Sequence, residues 1–595
     1  MSTYAETQTA QPRGGEFLVR QTEPESVFSP EDFSEELRMI GQMTEEFVQN
    51  EILPLMDRLE QLEEGLNPML LRRAGELGLL GIEIPEEYGG TDLPKTAAML
   101  VAEKLAPAGG FSVTYGAHQS IGTLPIVYFG SEEQKRRYLP RLATAELIGA
   151  YALTEPNAGS DALGGRTRAE LSADGRYWIL NGTKMWITNA GFADLFTVFA
   201  KVDGEREKFS AFLVERTFEG VSVGAEERKM GIHSSSTRQL ILEQVRVPVE
   251  NLLGEVGQGA KIAFNILNTG RFKLGAGCLG GTKQVLELAA RYALERVQFG
   301  RPIAQFGLIQ EKLAEMALRA YAIESMIYRT AGLIDQAIGS SKDPAHRLRS
   351  IEEYAVECSM IKVMGSELLD YAVDEAVQIH GGYGYSREFP VERAYRDSRI
   401  NRIFEGTNEI NRLLTVDMLL RRAMRGQLPL MAAAERVARE VFEPRFEDSE
   451  ETGPLAAERR VVENLKKAVL AVAGAAAMRY MQALEEEQEI VARVADMAMW
   501  TYAAESALLR TLKLRGRGLD TSLQEDMTRL YVAKAAEVAA ALGREALARF
   551  LEGDELRLHL AALRRFTRQE PINTIALRRR IAQAVLEAGG YPVGR

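Results

Sequence analysis

The chain has 595 residues, 46% of them hydrophobic and 26% charged, with a formal net charge of −12; this is the composition of an ordinary globular protein, long enough for about three or four domains. The acidic balance argues against general nucleic-acid binding, which favours basic surfaces. Two cysteines, and five histidines without ligand spacing, argue against a disulfide framework and against a metal site.

Residues 1–30 are rich in Thr, Gln, Glu, Ser and Pro and predict a disordered N-terminus. They resemble neither a secretory signal nor a transit peptide, so a cytoplasmic protein is expected. Pro30-Glu31-Asp32 opens a helix with acids in its first turn. Helical periodicity then runs to about residue 149, broken at Asn67-Pro68, Gly89-Gly90 and Gly109-Gly110, and predicts an N-terminal α-helical domain over 31–149. The pattern changes at Ala150. Tyr177–Leu180 and Lys184–Ile187 are short β runs about Asn181-Gly182, a hairpin signal. Further β runs lie at 195–201, 209–214, 221–224 and 240–247, so residues 150–256 read as an antiparallel β domain. Helical periodicity returns over 257–424 as a C-terminal bundle. One of its helices ends at Arg296–Pro302, with Gly300 as the C′ residue. A linker follows at 425–450, then an extra helical domain at 451–595. The fold class is α+β, mainly α.

Gly275-Ala276-Gly277-Cys278-Leu279-Gly280 matches a dinucleotide fingerprint, but it lies in helix rather than after a strand, so close helix packing is the better reading. Tyr151–Asp161 is an irregular loop at the helix-to-sheet junction; by itself it reads as a connector, with the alternative that its amides and hydroxyls face a ligand. Trp186 and Thr188 alternate on one strand face, and together read either as core or as cover for a planar ring. Near the end of the bundle, Ile403-Phe404-Glu405-Gly406-Thr407 precedes a helix with Thr407 or Asn408 at its N-cap. Burial raises the pKa of a carboxyl and a helix N-terminus favours its ionised form. Glu405 therefore reads either as a solvated glutamate beside a turn or as a general base.

These segments, in this order over about residues 40 to 420, resemble the acyl-CoA dehydrogenase family, and most of all its very-long-chain branch. The resemblance implies FAD as cofactor. It places Tyr151, Leu153 and Thr154 along the flavin, Ser160 at the pyrophosphate, and Trp186 and Thr188 over the ring system. It places Arg296 and Phe299 against the FAD of a neighbouring subunit, Gln378, Gly381 and Gly382 at its adenosine phosphate, and Thr407 at the FAD beside the base. It makes Glu405 the base that removes the α-proton, and sets Ser160, Arg271 and Gly406 at the acyl-CoA substrate. The implied reaction is α,β-dehydrogenation of a fatty acyl-CoA, with electrons passing to an electron-transfer flavoprotein.

Gly116 and Ala117 are small, so the acyl cavity is expected to run deep and to favour chains of about twelve carbons or more, each buried methylene adding roughly 0.8 kcal/mol. Rival readings are an acyl-CoA oxidase, a non-catalytic assembly factor on the same fold, and a DNA-damage-response relative. The last is disfavoured because Arg578-Arg579-Arg580 is the only strong basic run. In the extra domain the run Ala468–Met478 is apolar all round and needs a burial partner, either protein or a membrane surface. Its flanking charges, Lys466, Lys467 and Arg479 against Glu485–Glu487, favour packing on the catalytic body and a homodimer, while peripheral membrane contact stays open.

Overall fold

The computed structural model of the chain describes residues 11–442 and 453–594. The first long helix, Glu35–Phe47, starts where the Ser34 hydroxyl accepts the Leu37 N–H at 3.2 Å. It lies on Lys95–Leu105, with Leu37, Ala97 and Leu100 buried between the two. Gly110–Gly116 continues into a wide turn of π-helical form, Ala117–Gly122, which brings this part of the chain beside the sheet.

The middle domain has eight strands: β1 (Gly149–Ala152), β2 (Arg168–Leu171), β3 (Tyr177–Thr188), β4 (Leu195–Val202), β5 (Phe209–Glu215), β6 (Val221–Val223), β7 (Thr237–Pro248) and β8 (Leu252–Leu253). Their order is β6-β7-β3-β2-β4-β5-β8, with β1 beside β4. The sheet is mostly antiparallel, but β1 and β2 both run parallel to β4. The Asn181-Gly182 pair does not turn the chain. β3 runs straight through it with a register shift, the Asn181 side chain accepting the Gln244 N–H at 2.8 Å. A Cβ on Gly182 would lie 2.4 Å from Thr167 Oγ1, so the glycine serves a close approach of β2 rather than a hairpin.

In the bundle, Gly259–Glu295 packs lengthwise on Ala355–His380, with Gly307–Ile338 and Asn408–Met424 alongside. The Gly275–Gly280 segment is part of this contact: a Cβ on Gly275 would fall 2.3 Å from Ile361 Cγ2, and one on Gly280 1.9 Å from Glu103 O. The first helix stops at Glu295, but not through a glycine C′. Phe299 (φ 52°) and Gly300 (φ 77°) form the reversal of a small hairpin, Val297–Gln298 against Arg301–Pro302.

The C-terminal extension comprises the helices Ala456–Tyr480, Gln488–Gly516, Ser522–Phe550, Gly553–Phe566 and Thr574–Ala588. The expected linker holds a helix, Leu430–Phe442, that packs on Ala456–Tyr480; residues 443–450 lie outside those described. In the apolar run Ala468, Val469, Val472 and Ala476 are buried, but inside the extension rather than on the catalytic body. The extension meets Gly307–Ile338 of the bundle through Thr574–Ala588 and Gln488–Gly516, and the latter also packs on Asn408–Met424. Arg329 pairs with Glu505 at 2.8 Å, Arg510 with Glu324 at 2.6 Å, and Tyr321 Oη lies 2.7 Å from Thr511 Oγ1, all buried.

Residues 11–30 differ from the expected disorder. They form a strap across the seam between bundle and extension, with Phe17, Leu18 and Val27 buried and the Phe17 ring 4.7 Å from that of Tyr502. Gly15 N donates to Glu357 Oε1 at 2.7 Å, and Asp32, just past the strap, pairs with Arg517 at 2.8 Å. Partners far along the chain order a polar segment that has no core of its own. No helix among the described residues is long and apolar enough to cross a membrane.

Candidate active site

Glu405 stands at the end of a short 3₁₀ turn (Arg399–Arg402), before the helix Asn408–Met424, whose N-cap is Thr407: its hydroxyl accepts the Ile410 N–H at 3.2 Å. Glu405 itself has φ 58° and Gly406 φ 80°. Glycine adopts the left-handed region freely; a glutamate there is strained by about 1–3 kcal/mol and persists only where its surroundings hold it. Here they do. Arg271 Nε donates to Glu405 O at 3.0 Å. Asn411 Nδ2 donates to the carbonyls of Gly406 and Thr407 at 2.9 and 3.0 Å. Lys362 Nζ donates to Gly406 O at 2.8 Å and to Asn408 Oδ1 at 2.7 Å.

The reversal turns the Glu405 side chain inward, against the bundle. Its Oε2 is buried and has no hydrogen-bond partner. A Cβ on Gly270 would lie 2.7 Å from Oε2, so only glycine at 270 leaves the carboxyl its place. Burial pushes the carboxyl up to about 7, while Arg271 and Lys362 pull in the opposite direction. An acid poised near neutral pH, unpartnered and facing a cavity, is equipped to take and give a proton.

That cavity measures about 240 Å³. Glu405, Phe404, Gly270 and Thr188 line it at one end. The rest of its lining mixes small and apolar residues, among them Gly116, Ala117, Gly277, Gly281 and Leu288, with polar ones such as Gln119, Lys273, Gln284 and Asp397.

The loop after β1 and the end of β3 approach the Glu405 end. Tyr151 and Leu153 are buried, and Tyr151 Oη reaches Ala263 O at 3.5 Å. Burial, with Glu405 nearby, holds the Tyr151 phenol far above its ordinary value. Thr154 is half-buried, its carbonyl accepting the Met185 N–H at 2.8 Å, and Ser160 is exposed at the loop's tip. The loop is anchored by a buried pair, Lys184 Nζ to Glu155 Oε1 at 2.7 Å; the same amine reaches Leu153 O, and Glu155 also accepts the Thr167 N–H at 3.1 Å. Trp186 has φ 61° and stands 52% exposed, so its ring presents a face to solvent beside the cavity-lining Thr188.

The remaining candidates form a second cluster. The Arg296 guanidinium lies 5.5 Å above the Tyr383 ring, Phe299 is 93% exposed, and Gln378, Gly381 and Gly382 are exposed beside them. Tyr292 Oη donates to His380 O at 3.2 Å and ties the two helix ends together. From Gly270 to Tyr292 the helix advances about 33 Å. One chain therefore does not bring this cluster to Trp186 and Thr188.

Three groups of supporting residues escape the sequence reading. Gly270, Lys362 and Asn411 hold the Glu405 turn; Lys184 and Glu155 hold the loop; Asn408 and Ser366, whose side chains bond at 3.0 Å, lock the start of the following helix. Only Gly270 left a local signal, being the one residue without a side chain next to Arg271.

Comparison with known proteins shows the family. Residues 34–146 match the family described as acyl-CoA dehydrogenase, N-terminal domain; residues 150–245 match its middle domain; residues 257–420 and 464–565 each match an acyl-CoA dehydrogenase, C-terminal domain. The chain belongs to the acyl-CoA dehydrogenase family. This acyl-CoA dehydrogenase is 51% identical over 588 residues to a probable acyl-CoA dehydrogenase of Bacillus subtilis, covering 98% of both chains. It is similar to an acyl-CoA dehydrogenase from Bacillus anthracis solved in complex with FAD, with a TM-score of 0.96 and 52% identity over 98% of this chain and 100% of that one. It is 42% identical over 408 residues to the bovine mitochondrial very long-chain specific acyl-CoA dehydrogenase, covering 67% of this chain and 60% of that protein. The full-length matches include the extension, so the extra helices are shared with those two relatives rather than particular to this chain.

Proposed function

We propose that this acyl-CoA dehydrogenase uses FAD to convert long-chain fatty acyl-CoA into the trans-2-enoyl-CoA, the first oxidation of fatty-acid β-oxidation, with Glu405 as the base. The observation that carries the reading is the buried, partnerless Oε2 of Glu405 facing an elongated cavity. FAD fits the residues present. The half-exposed Trp186 ring and Thr188 form a flat cover beside the cavity, and the Leu153–Asp161 loop offers the Ser160 hydroxyl and backbone amides for phosphate oxygens.

Bound FAD supplies the acceptor for the β-hydrogen. The chain supplies the rest. Glu405 takes the α-proton onto Oε2. None of the hydrogen bonds that hold the turn uses the Glu405 N–H, which is therefore available to the thioester carbonyl, where negative charge grows as the proton leaves. Arg271 and Lys362 fix the turn and favour the carboxylate before transfer.

The helix that lines the cavity advances about 27 Å from Gly270 to Leu288. An extended chain advances about 1.2 Å per bond, so a groove of that length spans about twenty bonds and suits long acyl chains better than butyryl. The separation of the Arg296–Gly382 cluster from Trp186 supports a homodimer in which each chain lends that cluster to its partner's FAD. Electron-transfer flavoprotein is the proposed acceptor and the cytoplasm the proposed compartment. The test is the flavin absorbance of the purified protein. Palmitoyl-CoA should bleach it anaerobically, and Glu405→Gln should bind FAD and ligand yet slow bleaching by about three orders of magnitude or more. Near-normal bleaching by that variant refutes the assignment.

A further inference from the structure

The acyl cavity is not apolar throughout. Lys273 lies three residues beyond Gly270 on the same helix, hence on the same face, and it lines the cavity together with Gln119. Its ammonium bonds Glu83 and, at 2.8 Å, Gln119 Oε1. Gln119 Nε2 donates to the same Glu83 oxygen at 3.1 Å. The other oxygen of Glu83 is taken by Lys95, which also donates to Tyr128 Oη at 2.9 Å.

Two ammonium groups thus share one carboxylate, and no other ion pair involves Lys95, Lys273 or Glu83 among the described residues. Asp335 also acts on Lys95, whereas Lys273, whose side chain is only 10% exposed, has Glu83 as its one paired carboxylate. A one-to-one pair would suffice to hold the N-terminal domain to the bundle. The second lysine adds a charge that stability alone does not call for, since an uncompensated buried charge weakens a fold. An ammonium has three N–H donors; Glu83 and Gln119 take two, and because Lys273 lines the cavity the third can be offered to a group that enters it. The lining of the cavity also includes the small and apolar Ala98, Ala102, Leu274 and Gly277.

We propose that Lys273 and Gln119 form a polar waist that recognises an oxygen substituent on the acyl chain, so that mid-chain hydroxylated fatty acyl-CoAs are preferred substrates. The proposal rests on the reading of Glu405 as the base that marks the α-carbon. Three residues of helix advance about 4.5 Å, and at about 1.2 Å per bond this places the waist about four bonds past the α-carbon, near C6. An unsubstituted chain passes the same point by leaving the third N–H unmet; a hydroxyl there accepts it.

The test uses the FAD-loaded enzyme and a series of palmitoyl-CoA analogues hydroxylated at successive carbons, with kcat/KM read from flavin bleaching. The profile should peak at about C6, at least about tenfold above palmitoyl-CoA, the scale of one hydrogen bond to a charged donor. In Lys273→Met the peak should vanish and the ratio to palmitoyl-CoA fall to about one. That variant keeps the Glu83–Lys95 pair, and its FAD content and melting temperature report whether it has folded. A flat profile in the unaltered enzyme overturns the waist, as does a peak that survives Lys273→Met. Should the variant fail to load FAD, the positional profile of the unaltered enzyme decides alone. Failure of palmitoyl-CoA itself to bleach the flavin, with every analogue equally inert, overturns the reading of Glu405 instead.

Discussion

Glu405 should make the folded protein less stable as pH rises, and its replacement by glutamine should remove that effect. The carboxyl has an ordinary value of 4.5 in the unfolded chain and is raised to about 7 in the folded one, by burial first and against the pull of Arg271 and Lys362. Below about pH 4.5 it is protonated in both states and the fold is not penalised. Between the two values the unfolded chain ionises and the folded chain does not, so stability falls as pH rises. Above about 7 the loss is complete. At about 1.4 kcal/mol for each tenfold change in proton affinity, the full effect is about 3 kcal/mol, and about 2 kcal/mol of it appears between about pH 5 and pH 7.5. Glu405→Gln occupies the same space with no charge to desolvate. It also removes an anion beside Arg271 and Lys362. That offset holds steady only in the lower part of this window: burial lowers Lys362 to about 8 and Glu405 helps to hold it there, so in the variant the lysine begins to lose its proton near the upper end, which also favours the variant as pH rises. Calorimetric melting of FAD-loaded wild type and variant, without acyl-CoA, should show the variant gaining on the wild type as pH rises across the window. A difference that does not change with pH, or that shrinks, refutes a buried carboxyl tuned near neutrality.

Flavin reduction needs the carboxylate, so its rate with palmitoyl-CoA should rise with pH through an apparent pKa near 7; stopped-flow absorbance across that range checks it. Lys362→Met should move that limb to higher pH, because it removes a cation that favours the carboxylate; a limb that stays in place refutes the electrostatic role. A Cβ on Gly116 meets open space, so Gly116→Leu should fold and fill the cavity. Palmitoyl-CoA kcat/KM should fall by at least about tenfold, at roughly 0.8 kcal/mol for each methylene denied burial, while butyryl-CoA changes little. A chain ending near residue 430 strips the cover from Gly307–Ile338 and leaves Arg329 without Glu505. Light scattering should show aggregation or a changed oligomeric state, and a soluble dimer of unchanged stability would refute the packing role.

Some of the site was legible because its signals are local. A helix N-cap must follow Glu405 wherever Thr407 and the apolar spacing of Ile410, Leu413 and Leu414 occur together, and Thr407 does cap that helix. The left-handed backbone of Glu405 was not legible. Nothing in a glutamate announces φ 58°, and the groups that enforce it come from Arg271, Lys362 and Asn411, on three helices. The loop after β1 likewise reads as a connector until Lys184, a lysine in mid-strand, is seen to reach back to Glu155 from the interior. Charged residues in a β run are ordinarily assigned to the solvent side, and the buried pair inverts that expectation.

One of the two misread turns shares its cause with the strap. Asn181-Gly182 and Gly300 carry local turn chemistry, yet the first is a passage for β2 and the second belongs to a hairpin whose reversal also uses Phe299. Residues 11–30 carry the composition of a disordered tail, yet they lie in a seam that exists only once bundle and extension have met. There Arg510 binds both Glu324 of the bundle and Glu31, next to the strap's end, while Lys513 binds Asp32. For Gly182 and for the strap the deciding partner lies elsewhere in the chain and supplies a close contact or a countercharge, whereas the Gly300 reversal is settled within its own small hairpin. Arg510 also shows why the extension belongs to the catalytic body: Glu324 is shared between Arg510 and Lys283, and Lys283 stands on the same helix as Gly281 and Gln284 of the acyl cavity. The extension therefore braces, through Glu324 and Lys283, the helix that forms one wall of the cavity, and that wall is supported along its outer side.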